Sequence, residues 1–311
     1  MAHPTLEDVA ARAGVSRALV SLVMRGSPKV GRERREAVLE AARELGYRPN
    51  VMARGLAAGR TGIVGVLLAD LHDPESAAVH DGLAEEAARR DVRLLLTTGG
   101  GRTARERTAV EDLLGLRLDG VVLAGPRIPA AEIDRAAAGS AVAVVGRTLR
   151  SANVDCVTGD DAGAAEHAIA HLASLGHRRI ACLDLGSRPS RLRRAVAGRA
   201  AVATAPDELW DAPEPPTAVL ALGDTTGTAA LAALLRAGRR VPEDVSLIVH
   251  GDPPGAGAAR VTAVAPPPRE LGRLAMAALL DRVRDGAPDR PRRVSVPPAL
   301  VERGSTAPVR R

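Results

Sequence analysis

The stretch "TLEDVAARAGVSRALVSLVM", which covers residues 5–24, has the pattern of two short helices joined by a tight turn. The hydroxyl of Thr5 and the carboxylate of Asp8 stand three residues apart, which is the spacing of a capping box at the start of a helix. Gly14 permits a left-handed turn, and Ser16 is a preferred cap for the helix that follows. The pattern is typical of a helix-turn-helix. It predicts helices over residues 6–13 and 17–24.

A third helix is predicted over residues 32–45, where apolar residues such as Val38, Leu39 and Leu45 close a small core. Any three-helix bundle could show this pattern. The distribution of charge distinguishes a DNA-binding domain from a purely structural one. Residues 1–60 contain eleven Lys or Arg and six Asp or Glu, whereas the other 251 residues contain 32 and 31. Positive charge concentrated on one part of a balanced chain is typical of a nucleic-acid-binding protein.

The composition sets the size and class of the chain. With 311 residues, 46% hydrophobic and 26% charged, it is long enough for one small domain and a two-lobed larger one. A single lysine, Lys29, against 42 arginines indicates a compositional bias, which weakens any inference from the pI of about 10.6. No signal peptide or membrane-spanning run is recognised. Cys156 and Cys182 imply no disulfide framework, so we expect a cytoplasmic protein with reduced thiols.

From residue 61 onward, apolar strand-like runs alternate with amphipathic helical segments. The predicted strands are 63–69, 92–97, 120–124, 141–145, 179–183, 218–222 and 245–250, and the predicted helices between them include 75–90, 103–116, 162–175 and 225–237. This alternation predicts an α/β body with parallel sheets and helices on both faces. Such sheets bind ligands at the carboxyl ends of their strands.

One pattern in the body resembles a dinucleotide-binding loop. The segment 99–104, GGGRTA, follows a predicted strand and matches the glycine-rich loop of such enzymes. Those enzymes bind the ribose with an acid at the carboxyl end of the next strand. Asp119 has the right spacing but precedes the strand 120–124, so it lies at the opposite end. His167 and His171 are four residues apart on a helix and have no third ligand for a metal. We therefore predict no catalytic residue, no metal and no cofactor.

Six segments resemble the LacI/GalR, or lactose-repressor, family of bacterial transcription regulators. They are TLEDVAARAGVS, RREAVLEAARELGYRPNVMARGLAAGRTGIVGV, LASLGHRRIACL, VPEDVS, PRELGR and VPPALVERGST. The resemblance implies an all-α helix-turn-helix domain, joined by a hinge helix to a two-lobed α/β domain of the periplasmic-binding-protein type. The implied boundaries are 1–49 for the DNA-binding domain, 50–60 for the hinge and 61–311 for the effector-binding and dimerisation domain. The resemblance also implies that the second lobe is shortened around 185–216 and that the last helix, 269–285, returns to the first lobe.

In the family, residues at the start of the second helix read bases, and Arg17 and Ala18 occupy those positions here. An arginine can bind guanine through two hydrogen bonds. Leu22, where the family usually has a polar or basic residue, either contacts a thymine methyl group or packs within the domain. The DNA-binding residues implied by the resemblance are Thr5, Ser16, Arg17, Ala18, Ser21, Leu22, Arg25, Asn50, Arg54 and Leu56. The candidates for phosphate contacts are Arg32, Arg34, Arg35 and Arg54. A solvated charged face is the alternative for Arg34 and Arg35.

Residues 50–58 correspond to the family's hinge helix, which orders only on operator DNA and inserts a leucine into the minor groove. Leu56 has that wedge position here. About nine residues are too few for a stable helix in water, and Gly55 costs about 1 kcal/mol relative to alanine. Insertion of an apolar side chain unstacks a base step, and the bent duplex that results makes more contacts with the protein. The alternative is that Leu56 packs against the following domain.

The family binds a small-molecule effector between its two lobes. The candidate effector-binding residues here are His72, Arg147, Arg191, Trp210, Asp224 and Asp252. Glycine stands at positions 146, 223 and 251, where the family commonly has acidic or amide side chains. Either the pocket accepts something other than a typical sugar, or it has lost ligand control. Glycine supplies no polar side chain for a sugar hydroxyl, so tight binding of neutral sugars is not expected. Arg191 favours an anionic or larger ligand unless it is a solvated charge beside a collapsed cleft.

The sequence therefore predicts a dimeric DNA-binding transcriptional regulator of an inverted-repeat operator, with a repressor favoured over an activator. Its expected partners are double-stranded operator DNA, a second copy of the chain and a small-molecule effector (a sugar, a sugar derivative or an anionic metabolite), with no membrane. No leucine heptads occur near residues 304–311, so a tetramer is not expected. A solute-binding protein would need a signal peptide and would leave residues 5–60 unexplained. A nucleotide-dependent enzyme would need Asp119 at the other end of its strand.

Overall fold

The computed structural model describes residues 4–48, 60–185, 196, 200–205, 214–252, 255–286 and 290–309. The chain divides into two compact units, Met1–Thr61 and Gly62–Arg311. Within these described ranges, no helix is both long enough and apolar enough to cross a bilayer.

The first unit contains three helices, α1 (Leu6–Ala13), α2 (Arg17–Met24) and α3 (Arg32–Glu44). Each ends within one residue of its predicted boundary. Small and β-branched residues fill the core between them: Val9, Ala10, Val20, Val23, Val30, Val38, Ala41 and Ala42. Two residues predicted for this core are more exposed than expected, since Leu39 is 42% and Leu45 36% exposed. Leu39 is rotated by about 100° from the buried Val38 on the same helix, which turns it away from the core.

The second unit alternates strands and helices. In chain order its elements are β1 (Ile63–Leu68), α4 (Pro74–Arg89), β2 (Arg93–Thr98), α5 (Thr103–Gly115), β3 (Gly120–Ala124), α6 (Ala130–Ala137), β4 (Val142–Val145), β5 (Val154–Gly159), α7 (Asp161–Ser174), β6 (Ile180–Leu183), β7 (Ala201–Ala203), β8 (Ala218–Leu222), α8 (Asp224–Arg236), β9 (Ser246–His250), β10 (Thr262–Ala265), α9 (Pro268–Asp285), β11 (Arg293–Val296) and β12 (Ala299–Val301). The predicted strands and helices are all present, with ends within one residue of the prediction. Five strands were not predicted: β5, with six residues, and β7, β10, β11 and β12, with three or four each.

The strands form two six-stranded sheets, one for each lobe. The first sheet has the order β11-β5-β4-β3-β1-β2 and is parallel throughout. The second has the order β12-β10-β9-β8-β6-β7, and its edge strand β12 is antiparallel to β10. This arrangement confirms the predicted two-lobed α/β fold with parallel sheets. Because parallel strands end at one edge of their sheet, the loops after β1, β3 and β4 share an edge in the first lobe, as those after β8 and β9 do in the second.

The last helix, α9, returns to the first lobe, as the sequence predicted. It packs its apolar face, including Leu271, Met276 and Leu279, into the core beneath the first sheet. Two glycines bring it close to α4: a β-carbon at Gly82 would lie 1.9 Å from the carbonyl oxygen of Arg269, and one at Gly272 would lie 2.0 Å from that of Val79. The crossing of these helices therefore requires glycine on both sides.

Candidate nucleic-acid interface and effector site

The two helices of the predicted helix-turn-helix begin at side-chain caps. The Thr5 hydroxyl accepts a hydrogen bond from the amide of Asp8 and donates one to its carboxylate, at 3.3 and 2.8 Å. The Thr5 amide donates to the same carboxylate, and this bond, with that from the hydroxyl, lowers the pKa of Asp8. The Ser16 hydroxyl accepts from the amide of Leu19 at 3.3 Å. Thr5 and Ser16, both predicted to contact DNA, are exposed and serve as helix caps in the free protein.

Helix α2 presents its predicted base-reading residues on one face. At about 100° per residue, the five positions fall within an arc of about 140°. They are Arg17, Ala18, Ser21, Leu22 and Arg25. Val20 and Val23 are buried on the opposite side. Leu22 is half-buried and packs against the core of the unit. Of the two roles left open for Leu22 by the sequence, packing within the domain is therefore present in the free protein.

The arginines of this unit differ in how they are held. The Arg17 guanidinium lies 3.2 Å from the Glu7 carboxylate on α1. Arg25 donates through Nε to the carbonyl of Ser21 at 3.2 Å. Arg35 is half-buried and donates to the carbonyl of Ser27, which ties α3 to the turn before it. Arg35 is therefore not part of a freely solvated face, whereas Arg34 is exposed.

Several predicted site residues lie outside the described residues. These are Asn50, Arg54 and Leu56 of the hinge, and Arg191 and Trp210 of the shortened region of the second lobe. Their roles remain predictions from the sequence.

In the first lobe, two candidate effector residues follow strands at the carboxyl edge of the sheet. His72 follows β1, is exposed, and donates its amide hydrogen to the carboxylate of Asp70 at 2.9 Å. Arg147 follows β4 and is half-buried. Its Nη1 donates to the carbonyl oxygen of Ile128 at 2.6 Å and lies 3.5 Å from that of Pro126. At least one nitrogen of Arg147 is therefore committed to the loop after β3.

In the second lobe, the candidates Asp224 and Asp252 follow the neighbouring strands β8 and β9. Asp224 is half-buried at the start of α8. Asp252 is exposed and pairs with Arg303, with 2.9 Å between Oδ2 and Nη2. A ligand that used Asp252 as a polar anchor would have to compete with this arginine.

The glycines at the candidate site are not equivalent. All three have positive φ, +80° at Gly146, +109° at Gly223 and +127° at Gly251. A β-carbon at Gly146 would have open space around it, whereas one at Gly251 would lie 1.9 Å from Oδ1 of Asp224. The carboxylate of Asp224 therefore occupies the space that a side chain at position 251 would fill.

Two buried polar groups near these edges were not predicted. His250 ends β9, is 3% exposed, and its Nε2 lies 3.7 Å from Oδ1 of Asp161 at the start of α7. Glu106 is fully buried on α5 and accepts hydrogen bonds from the amides of Arg127 and Ile128 at 2.7 and 3.2 Å. The strand-end rule could have identified His250. No sequence pattern marks Glu106, whose partners lie more than twenty residues away.

The groups considered for catalysis or metal binding have structural contacts. Asp119 accepts a hydrogen bond from the amide of Gly62 at 2.9 Å, at the amino ends of β1 and β3. It therefore lies at the opposite edge from the glycine loop that follows β2. His171 contacts the hydroxyl of Thr306 at 3.0 Å, and His177 contacts the carbonyl of Ala307 at 2.9 Å. In the part of the chain described here, no three His, Cys, Asp or Glu side chains are grouped to hold a metal.

Three family profiles match the chain, and the second and third overlap over residues 184–206. "Bacterial regulatory proteins, lacI family" matches residues 5–50. "Periplasmic binding proteins and sugar binding domain of LacI family" matches residues 61–206. "Periplasmic binding protein-like domain" matches residues 184–306. The matches follow the division of the structure into a helical unit and a two-lobed unit.

Relatives and solved structures extend this similarity over the whole chain. The HTH-type transcriptional regulator PtxS of Pseudomonas putida is 32% identical, over 98% of this chain and 96% of its own. The structure of the transcriptional regulator CelR in complex with cellobiose is 30% identical over 97% of this chain and 99% of its own, with a TM-score of 0.67. The Lac repressor dimer, bound to operator and the anti-inducer ONPF, has the same fold at 22% identity, with a TM-score of 0.83 over 98% of this chain and all of its own. The chain belongs to the LacI family of bacterial regulatory proteins and is a DNA-binding transcriptional regulator.

Proposed function

We propose that the protein binds an inverted-repeat operator as a homodimer and represses transcription from it. The observation that carries this proposal is the outer face of α2, where four polar, small or basic residues lie together beside the half-buried Leu22, while Val20 and Val23 hold the helix on the core. A helix presented in this way fits the major groove, where arginine distinguishes guanine from other bases. A dimer bound at a promoter blocks RNA polymerase from that promoter without any further contact.

The edge of the first sheet supports a dimer. Strand β2 is the edge strand, and its Leu95 and Leu96 are 38% and 39% exposed. An exposed apolar edge strand is a template for association with another chain, which monomeric proteins usually avoid. A second copy of this chain is the occupant that a two-fold operator requires, since two helices α2 must face two half-sites.

Binding to full and half sites tests the dimer and the operator together. The probes are duplexes that carry two inverted half-sites or only one, with sedimentation used to count the bound chains. We expect two chains on the full site and far weaker binding to the half-site. Binding of one chain with equal affinity to both duplexes would contradict the proposal.

We also propose that a small-molecule effector binds the second unit at the carboxyl ends of its strands, where His72, Arg147, Asp224 and Asp252 lie. CelR was solved as a complex with cellobiose, which supports binding of a small molecule by this chain. A neutral sugar is disfavoured in this chain because Asp252 is paired with Arg303 and Arg147 is bonded to the carbonyl of Ile128. With Arg191 as the proposed cation, an anionic ligand fits better.

A thermal-shift screen of neutral sugars, sugar phosphates and organic acids tests the ligand class. We expect stabilisation by an anionic compound, lost in Arg191→Ala and kept in Arg178→Ala, an exposed arginine before β6. Stabilisation at micromolar concentration by a neutral sugar, abolished by Arg191→Ala, would overturn the anionic assignment.

The protein acts, in this proposal, by binding and not by catalysis, because the candidate catalytic groups are used for structure: Asp119 fixes Gly62, and His171 and His177 hold residues near the carboxyl terminus. In this proposal, residues 1–49 bind DNA, residues 50–60 form the hinge, and residues 61–311 bind the effector and form the dimer. Since its target is the bacterial chromosome, its proposed place of action is the cytoplasm.

A further inference from the structure

One edge of the first sheet carries a row of exposed arginines. The six strands are parallel, so their amino ends share this edge, and the helices α4, α5, α6 and α9 run back toward it. The last turns of these helices and the segments that lead into the strands contain eight exposed arginines, which together are named the arginine edge. They are Arg89, Arg93, Arg117, Arg135, Arg284, Arg290, Arg292 and Arg293.

The exposed carboxylates at the same edge are fewer. They are Asp91, Asp112 and Asp285. Other carboxylates lie deeper: Asp155 is buried and pairs with the buried Arg282 at 2.9 Å, and Glu86 is buried beneath Arg89 and Arg90. Asp119, Asp134 and Asp281 are half-buried. Among the described residues, this edge therefore exposes eight positive and three negative side chains.

The excess of positive charge is a property of the arginine edge and not of the whole second unit. Residues 61–311 contain 32 basic and 31 acidic side chains in all, so acidic surface elsewhere balances the arginine edge. Some of the eight are engaged, since Arg89 pairs with Glu86, and Arg292 with Asp281. Arg93, Arg117 and Arg290 form no ion pair with any residue in the described ranges. Their charges are available to a partner.

The arginine edge is long enough to contact several phosphates of a DNA duplex. Its two ends are set by β2 and β11, which lie on opposite sides of the sheet, five strand spacings or about 24 Å apart. Phosphates along one strand of duplex DNA are spaced by about 3.4 Å along the axis, so this distance corresponds to about seven base pairs.

Chain connectivity brings DNA to this edge. The second unit begins at Gly62, whose amide is bonded to Asp119 at the amino ends of β1 and β3, and the residues before it belong to the DNA-binding unit. The segment 49–59 can span at most about 40 Å when fully extended. This length limits how far Gly62, at the arginine edge, can lie from Arg48, the last described residue before the segment.

We propose that the arginine edge binds backbone phosphates of the DNA beside the helix-turn-helix sites. This inference rests on the proposed function, because the DNA is delivered by the first unit. The contact reads no bases. It adds a sequence-independent, salt-sensitive contribution to affinity, since each phosphate neutralised by arginine releases counterions.

The test compares two triple variants of the full chain. The edge variant is Arg93→Gln, Arg117→Gln and Arg290→Gln. The control variant is Arg105→Gln, Arg178→Gln and Arg236→Gln, which removes the same charge from exposed arginines away from this edge. All six side chains are exposed, and equal thermal unfolding of the two variants checks that folding is preserved.

The readout is the salt dependence of binding, measured by fluorescence anisotropy on the selected operator within a duplex of about 60 base pairs, between about 50 and 200 mM salt. The edge variant loses three phosphate contacts in each chain, six in the proposed dimer, so the slope of log K against log salt becomes less steep by about 5. The affinity advantage of the wild-type protein over the edge variant then shrinks by about 1,000-fold across that range. The control variant keeps the wild-type slope.

A wild-type slope in the edge variant, with the wild-type protein binding normally, would overturn the edge contact and leave the proposed function intact. An equal change of slope in both variants would also overturn it, because the effect would then follow net charge. Failure of the wild-type protein to bind any duplex would overturn the proposed function as well.

Discussion

The guanidinium of Arg17 lies 3.2 Å from the carboxylate of Glu7, and both side chains are 67% exposed. The pair joins the first turn of α2 to α1 at the face proposed to meet DNA. Exposed ion pairs contribute at most about 1 kcal/mol, so this contact does not prevent Arg17 from turning toward a base. It does place a negative charge next to the proposed base-reading arginine.

Removal of that charge is expected to tighten DNA binding. Glu7→Gln frees Arg17 and removes a carboxylate near the phosphates, with an expected gain of up to about fivefold in affinity, the equivalent of about 1 kcal/mol. The measurement is a titration of the selected operator at low salt. Glu33→Gln, an exposed position of the same unit, is the control for charge alone. Weaker binding by Glu7→Gln, or equal gains in both variants, would contradict a specific role of the pair.

Arg17→Ala is expected to cost about 1–3 kcal/mol of binding free energy and to relax the preference at one base pair in each half-site. The check is a comparison of the motifs selected by the variant and by the wild-type protein. Arg34→Ala is a useful comparison, because loss of a phosphate contact weakens all sequences alike. A variant motif identical to the wild-type motif would show that Arg17 does not read a base.

Leu56→Ala is expected to weaken operator binding and to reduce DNA bending, while most non-specific, salt-dependent binding is kept. The reason is that an apolar wedge acts on base stacking, whereas non-specific affinity comes from phosphate contacts. Bending is measured by energy transfer between dyes at the ends of the operator duplex. An unchanged bend angle would remove the wedge role and favour a contact between Leu56 and the following domain.

Acidification is expected to destabilise the second lobe through His177. Burial lowers the pKa of His177 below its ordinary value of 6.5. The neutral ring bridges the Thr217 hydroxyl and the carbonyl of Ala307, each at 2.9 Å. Because the unfolded chain takes up a proton near 6.5 and the folded chain only at lower pH, stability falls as the pH drops below about 6.5.

The check is thermal unfolding at about pH 7.5 and about pH 5.5 for the wild-type protein and His177→Gln, which cannot titrate in this range. The variant is expected to lose less stability between the two pH values. His72→Gln, at an exposed histidine, serves as the control and keeps the wild-type decline. An equal decline in all three proteins would assign the pH dependence to other groups.

The elements that the sequence predicted well have a strong local signal. Helix α2 was located by the turn at Gly14 and the cap at Ser16, and the burial of Val20 and Val23 determines which residues face outward. Four of the five missed strands have only three or four residues, as Thr262–Ala265 and Arg293–Val296 do, and the apolar run of the longer Val154–Gly159 is interrupted by Asp155. They form because neighbouring strands already present hydrogen-bonding partners, which local sequence does not encode.

The candidate effector site was predicted only in outline, because its geometry depends on contacts between distant residues. The rule for parallel strands located Asp224 and Asp252 at strand ends. It could not show that Arg303 pairs with Asp252, or that the carboxylate of Asp224 occupies the space beside Gly251. Such pairings join separate loops, so each must be observed in the folded chain.

Selection of bound duplexes from a random pool by the full-length wild-type protein is the most direct test of the central claim, that two copies of helix α2 read DNA as a two-fold pair. We expect an inverted repeat whose half-sites each contain a guanine that is no longer required by Arg17→Ala. Recovery of no enriched sequence, or of a motif without two-fold symmetry, would contradict it.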